Sequence, residues 1–388
     1  MNVQLITSSY PAYPDDPSGT AGLFVRAFAL ELLKQGHHVV IQPVARKHQY
    51  VPDGGLIIDP LPWQGGDLEL ASLNLYSPFN WFTVLVFFLK ARQKVIRAHK
   101  HYKIDRSLCM WAVPSGLLGY LMSKSLNKPY DVWALGSDIW LIRKIPLLGR
   151  FLLKKIIGRA DRVFADGLGL CRDVQEISGR QCFFLPSSRV LPAAPAVDEP
   201  DSVLGNINLL FVGRYHLNKG PDILLQAIQG LPQPMQTKLH LKMYGLGTMK
   251  STLVDFINAH QLDHCVTIDD GICANVLADE LSRADFLIIP SRIESVPVIF
   301  SDALQMGTPV IATPVGDLRQ LIAEHQCGVL ADDCTSESLA RAIEKACCCV
   351  EQEDFAAGTK KLSRRFQVSE AVHQWLVSPA ADEFTGSG

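Results

Sequence analysis

Glu294 and Asp302 stand with seven residues between them in the run IPSRIESVPVIFSDALQMGTPVIATPVG, Ile289 to Gly316. Glu294 falls in a loop after an apolar strand. Ser295 and Pro297 then offer a helix cap and first turn, and Asp302 lies on the helix they open. A helix N-terminus carries unpaired N–H groups and partial positive charge, which suits a phosphate. Carboxylates beside it accept hydrogen bonds from hydroxyl groups. A phosphate seat flanked by hydroxyl-binding acids matches what a nucleotide-linked sugar needs. An ordinary strand–loop–helix unit with an exposed acid would have the same pattern.

A second cluster supplies the complementary charge. Phe211-Val212-Gly213-Arg214 ends an apolar strand that begins at Asn208, and Lys219-Gly220-Pro221 opens the next helix. Gly213 permits a tight turn and close backbone approach. Arg214 is a forked cation and Lys219 a point-like one, and both suit a diphosphate. Tyr244-Gly245-Leu246-Gly247 follows the strand Leu239–Met243 and precedes a helix.

These motifs, in this order, resemble the family-4 retaining glycosyltransferases of the GT-B fold. That family has a Glu, seven residues and a second Glu, then a Gly-Thr-Pro-Val turn. Here the series is Glu294, Asp302 and Gly307-Thr308-Pro309-Val310. The Gly-Arg, Lys-Gly and Gly-x-Gly elements recur as well. The resemblance implies an α/β fold of two Rossmann-like parallel-sheet domains facing a central cleft. It implies catalytic roles for Arg214, Lys219 and Glu294, with the cations on the donor phosphates and the acid on the transferred sugar. It assigns donor binding to Gly213, Gly245, Gly247, Ser295, Val296, Pro297, Val298 and Asp302, the last on the ribose. Asp302 is one methylene shorter than the family's Glu. The implied reaction moves a sugar from a nucleoside-diphosphate sugar to a hydroxyl of a saccharide or glycolipid, with retention and without a metal. No cofactor beyond the donor substrate is expected. Assembly of a surface polysaccharide or glycolipid is the implied setting.

The acceptor side carries fewer marks. Ser18–Gly22 reads as a glycine turn between the first strand, Val3–Thr7, and a helix Leu23–Gln35 with Phe24, Phe28 and Leu32 on one face. The resemblance puts Gly19 and Gly22 beside the acceptor. Ala134-Leu135-Gly136-Ser137-Asp138 resembles the family's His-Gly-Ser-Asp, with Leu135 in place of the His. Ser137 and Asp138 are therefore acceptor-side candidates. Asp138 binds an acceptor hydroxyl, orients the loop, or caps a helix. The histidine pairs His37-His38 and His99 with His101 read as structural.

Strands and helices alternate along two halves. Residues 1–186 form the expected acceptor domain, with buried strands at Ser107–Ala112, Tyr130–Leu135, Arg162–Ala165 and Cys182–Leu185. Residues 187–206, rich in proline and small residues, read as a linker. Residues 207–362 form the donor domain. Residues 363–388 are expected to supply a terminal helix crossing back to the first domain, then a disordered tail. Ligands of open α/β sheets bind at the carboxyl ends of strands, which places the expected site in the cleft.

Composition sets the remaining bounds. A net charge of -2 over 388 residues gives no reason to expect nucleic acid. No apolar run is long enough for a membrane span, and the N-terminus lacks the pattern of a secretory signal. Ten cysteines without a C-x-x-C pair favour free thiols in a reducing cytoplasm. No metal site is expected, and Cys347-Cys348-Cys349 on a helix would make a poor cage. Phe79–Leu89 suits a core helix. For Ile139–Arg159, which interleaves apolar residues with Arg143, Lys144, Arg150, Lys154, Lys155 and Arg159, two readings stand together. One is a domain helix with solvated cations; the other is docking on an anionic membrane at the inner face. Two other functions compete. A noncatalytic member would bind a nucleotide or partner in the same cleft. A dinucleotide-dependent oxidoreductase would need a complete Gly-x-Gly-x-x-Gly after its first strand, which is missing.

Overall fold

A computed structural model of the chain describes residues 1–11, 22–44, 50–51, 54–64, 78–145, 148–193, 207–348 and 353–377. Gly19, most of the 187–206 stretch, Cys349 and the 380–388 tail lie outside the described residues. The chain divides into two compact units. One comprises Met1–Ser187 with the residues from Val368 onward, the other Ser188–Gln367.

Unit one carries a seven-stranded parallel sheet. Its strands are β1 (Asn2–Thr7), β2 (His38–Pro43), β3 (Ile57–Ile58), β4 (Arg106–Met110), β5 (Asp131–Ala134), β6 (Val163–Ala165) and β7 (Phe183–Phe184), in the order β3-β2-β1-β4-β5-β6-β7. Unit two carries a six-stranded parallel sheet of β8 (Ile207–Val212), β9 (Leu239–Tyr244), β10 (Val266–Asp269), β11 (Phe286–Ile289), β12 (Val310–Ala312) and β13 (Gly328–Leu330), in the order β10-β9-β8-β11-β12-β13. The central strands are almost continuously apolar because helices cover both faces. Leu209, Leu210 and Phe211 of β8 and all four residues of β11 are buried.

The helix Leu23–Lys34 buries Phe24, Phe28 and Leu32, as its spacing predicts. The last helix, Val368–Leu376, joins the core of unit one through Val368, Ala371, Val372 and Trp375. Trp375 donates its indole N–H to Asp131 at 2.9 Å, and the Arg106 guanidinium lies 4.4 Å from its ring centre. Arg106 and Arg162 both pair with Asp131 and also donate to the carbonyls of Leu376 and Trp375. The return begins at Val368; the helix Glu353–Ser363 and the turn Arg364–Phe366 stay with unit two.

One core assignment fails. The helix Pro78–His101 turns Phe87, Ala91, Val95 and Ala98 inward, while Trp81, Phe82, Leu85 and Leu89 are exposed. At 3.6 residues per turn only one stripe faces the sheet, so the apolar run overfills it and spills onto the outer face.

Candidate functional site

In unit two the strand order reverses between β8 and β11, and ligands in open α/β sheets collect at the carboxyl ends of such a pair. The chain leaves β8 through Gly213 and Arg214, makes a short turn at Leu217–Lys219, and enters the helix Pro221–Gly230 at Gly220. From β11 it runs through Ser291–Pro297 into the helix Val298–Met306. The two loops bring Lys219 and Glu294 together: the Lys219 ammonium donates to Glu294 Oε1, and Ser291 Oγ donates to the same oxygen at 3.3 Å. Their side chains are 26% and 13% exposed, so the pair is largely enclosed yet reachable. Arg214 is exposed on the first loop.

Arg292 knits these loops together. Its backbone N–H donates to the Asn218 carbonyl at 2.8 Å and its Nη1 to the Leu217 carbonyl at 2.7 Å. The guanidinium also grips Asp222, on the first turn of the following helix, with two bonds of 2.8 and 2.7 Å. Burial would raise the Asp222 carboxyl, but these bonds outweigh it and hold the group below the usual carboxylate range. Two glycines make the approach feasible. Gly220 adopts φ +67° and a Cβ there would lie 1.9 Å from the Pro290 carbonyl oxygen; Gly316 adopts φ +52° with a Cβ 2.3 Å from that of Glu294.

The loop after β9 closes over the same end of the sheet. Gly245 and Gly247 pack against the backbone of Gly213 and Tyr215. Tyr215 is buried, donates its hydroxyl to the carbonyls of Met243 and Asp269, and accepts the Met249 N–H. Gly245 and Gly247 thus converge on Tyr215, whose only sequence signal is an aromatic following Gly-Arg.

The helix opening differs from expectation. Pro297, extended at φ -70° and ψ 140°, is the cap residue, and its own side chain makes no cap bond. Ser295 accepts the Asp317 N–H through its carbonyl, Val296 is buried, and Val298 is the first helical residue. Asp302 departs further. It is fully buried, and Arg189 Nε lies 3.0 Å from each carboxylate oxygen with Nη2 at 2.6 Å from one. Burial pushes this carboxyl up, and the guanidinium opposes that rise. Nothing in the sequence marks Arg189, which stands in the stretch read as a linker.

The acceptor-side candidates lie in unit one. Gly22 sits where a Cβ would come within 2.8 Å of the Tyr10 Cα, so the turn before the first helix needs glycine. Ser137 opens the short helix Ser137–Trp140, whose cap is Gly136 rather than Asp138. The Asp138 carboxylate points inward and accepts the backbone N–H groups of Ala112 and Leu135. Burial raises it to about 6 against the pull of those donors. Through these two bonds the carboxylate ties the Leu135 loop to Ala112. His99 is buried beside Gln4 and Ser107.

Residues 198–360 match the family model described as glycosyl transferases group 1. An uncharacterized glycosyltransferase of Methanocaldococcus jannaschii is 26% identical over 60% of this chain and 60% of its own length. A D-inositol 3-phosphate glycosyltransferase of Xylanimonas cellulosilytica is 33% identical over 43% of this chain and 40% of its own. The chain therefore spans between two fifths and three fifths of these curated relatives. The solved structure of Anabaena Alr3699/HepE in complex with UDP superposes with a TM-score of 0.73 at 15% identity, covering 97% of this chain and 98% of that one. At that identity the likeness establishes the fold.

Proposed function

We propose that the chain is a group 1 glycosyl transferase, a reading supported by the family match over residues 198–360 and by the GT-B fold of its two parallel-sheet units, and that it moves a sugar from a nucleoside-diphosphate sugar to a hydroxyl acceptor. The meeting of Lys219 and Glu294 at the carboxyl ends of β8 and β11, with Arg214 exposed on the adjoining loop, carries this reading. Lys219 and Glu294 neutralise each other in their ion pair. A bound diphosphate draws Lys219 and Arg214 to its oxygens, which frees Glu294 to accept hydrogen bonds from the sugar hydroxyls. The two cations then offset the charge that grows on the departing diphosphate. In this reading Gly213, Gly245 and Gly247 let the backbone approach the nucleotide, and the Val298 end of the helix faces the phosphates. Transfer retains anomeric configuration and needs no metal, so turnover survives EDTA dialysis and product NMR shows the donor's anomer.

A membrane-bound acceptor fits the surface of unit one. Trp81, Phe82, Leu85 and Leu89 are exposed on one helix that also exposes Lys90 and Arg97, and Leu141, Leu148 and Phe151 are exposed among Arg143, Lys144, Arg150, Lys154 and Lys155. Aromatic anchors among cations suit an anionic headgroup layer. Flotation with anionic vesicles at low salt tests this; absence of binding removes it. The donor reading is tested by thermal-shift titration with UDP, GDP, ADP and CMP on the wild type and Arg214→Ala. One nucleoside diphosphate should stabilise only the wild type, by about 2.7 kcal/mol at a hundredfold excess over Kd. No shift with any of them refutes the donor site.

A further inference from the structure

The chain leaves unit one at Ser187, and its next residues lie along the helix Val298–Met306. Two side chains of that helix hold them. Asp302 takes the Arg189 side chain by three contacts of 2.6 to 3.0 Å. Gln305 donates Nε2–H to the Arg189 carbonyl at 2.6 Å and accepts the Leu191 N–H on Oε1 at 3.3 Å. Positions three apart on a helix share a face, so Asp302 and Gln305 form one strip along which the segment is tied by side chain and backbone together.

We infer that Asp302 is a positioning residue and not a ribose ligand: through Arg189, and with Gln305, it fastens Ser188–Leu191 to the helix that opens onto the donor phosphates. Three observations carry this. The carboxylate is fully buried while the Arg189 side chain is 17% exposed, so solvent reaches the arginine and not the acid. The aspartate, one methylene shorter than a glutamate, is drawn back into the helix packing, where its oxygens meet only this guanidinium among the described residues. A ribose diol is neutral. To take the acid it would have to strip a guanidinium from a buried carboxylate and leave both charges unmatched, which is far costlier than the hydrogen bonds it offers. The ribose is therefore held by other groups, and Arg189 ties the segment to the donor helix.

The inference rests on the donor-site reading, so its test has a readout independent of nucleotide. Amide hydrogen exchange of a peptide spanning residues 188–193 is followed in the wild type, Asp302→Asn, Arg189→Gln and the charge-free pair Arg189→Met/Asp302→Leu. Kd values for UDP, GDP and ADP and their 2′-deoxy counterparts are measured alongside. Both single variants should speed exchange roughly tenfold or more as the segment opens locally, and the charge-free pair should recover part of the protection. The ratio of deoxy to ribo Kd should stay within about twofold of wild type in every variant. Collapse of that ratio to unity in Asp302→Asn, with exchange unchanged, overturns the inference. So does loss of protection at 188–193 when nucleotide binds the wild type, since the ribose would then have displaced Arg189. If the wild type binds no nucleotide, the donor reading falls. Exchange then decides alone: a parallel rise in the two single variants supports the tie, and no rise refutes it.

Discussion

Arg292→Ala separates the loop scaffold from the chemistry. The change removes two bonds to Asp222 and one to the Leu217 carbonyl, all between 2.7 and 2.8 Å. The ion pair is partly wet, with side chains 32% and 24% exposed, so it ranks above a surface pair of about 0–1 kcal/mol and well below a buried pair of about 3–5. A coupling of about 1–2 kcal/mol follows, and the lost carbonyl bond brings the total near 2 kcal/mol. For a unit of this size that lowers Tm by about 4–8 °C. A double-mutant cycle with Asp222→Ala isolates the ion pair. Asp222 is held below the ordinary carboxylate range, so its share of stability is present above that range and is lost as the pH falls through the lowered value. The coupling should therefore persist at neutral pH and fade in strong acid. The functional consequence is larger. Releasing the turn at Leu217–Lys219 from the Ser291–Glu294 loop lets Lys219 and Glu294 drift apart, and a misplacement of about 1 Å can cost about a hundredfold. Steady-state transfer assays should show kcat reduced by about ten- to a hundredfold with donor KM little changed. A cycle without coupling, or an unaltered kcat in a destabilised variant, refutes the claim that Arg292 holds the pair in register.

Lys219→Ala should cost about 3 kcal/mol of transition-state stabilisation, read as a fall in kcat/KM of about a hundredfold or more; wild-type turnover would remove Lys219 from the chemistry. Trp375→Ala empties a fully buried site and strips a donor from Asp131, so chemical denaturation should register a loss of about 3–5 kcal/mol in unit one. Asp138 has a folded value of about 6, above its ordinary one, so its contribution is full in acid and is lost as the pH rises through 6. The wild type should therefore gain on Asp138→Asn by up to about 3 kcal/mol as pH falls from 7 to 4, and parallel pH curves for the two proteins would refute this.

Local chemistry was enough to mark the two alternating α/β halves and the loops at the ends of β8, β9 and β11. Strand and helix periods repeat within a few residues, and glycines betray close approach wherever a Cβ would strike a carbonyl, as at Gly220 and Gly316. Lys219 and Glu294 were nameable because each belongs to a short motif. What joins them was not. Arg292 reaches Asp222 across 70 positions and Arg189 reaches Asp302 across 113, and no spacing rule spans such distances. The outward turn of Trp81 and Phe82 was equally hidden, since an apolar run does not say which of its faces meets the sheet. Asp302 and Asp138 show the limit most plainly. A carboxylate in a motif reads the same whether it faces a ligand or its own chain, and only the packing around each decided that one binds an arginine and the other two backbone amides.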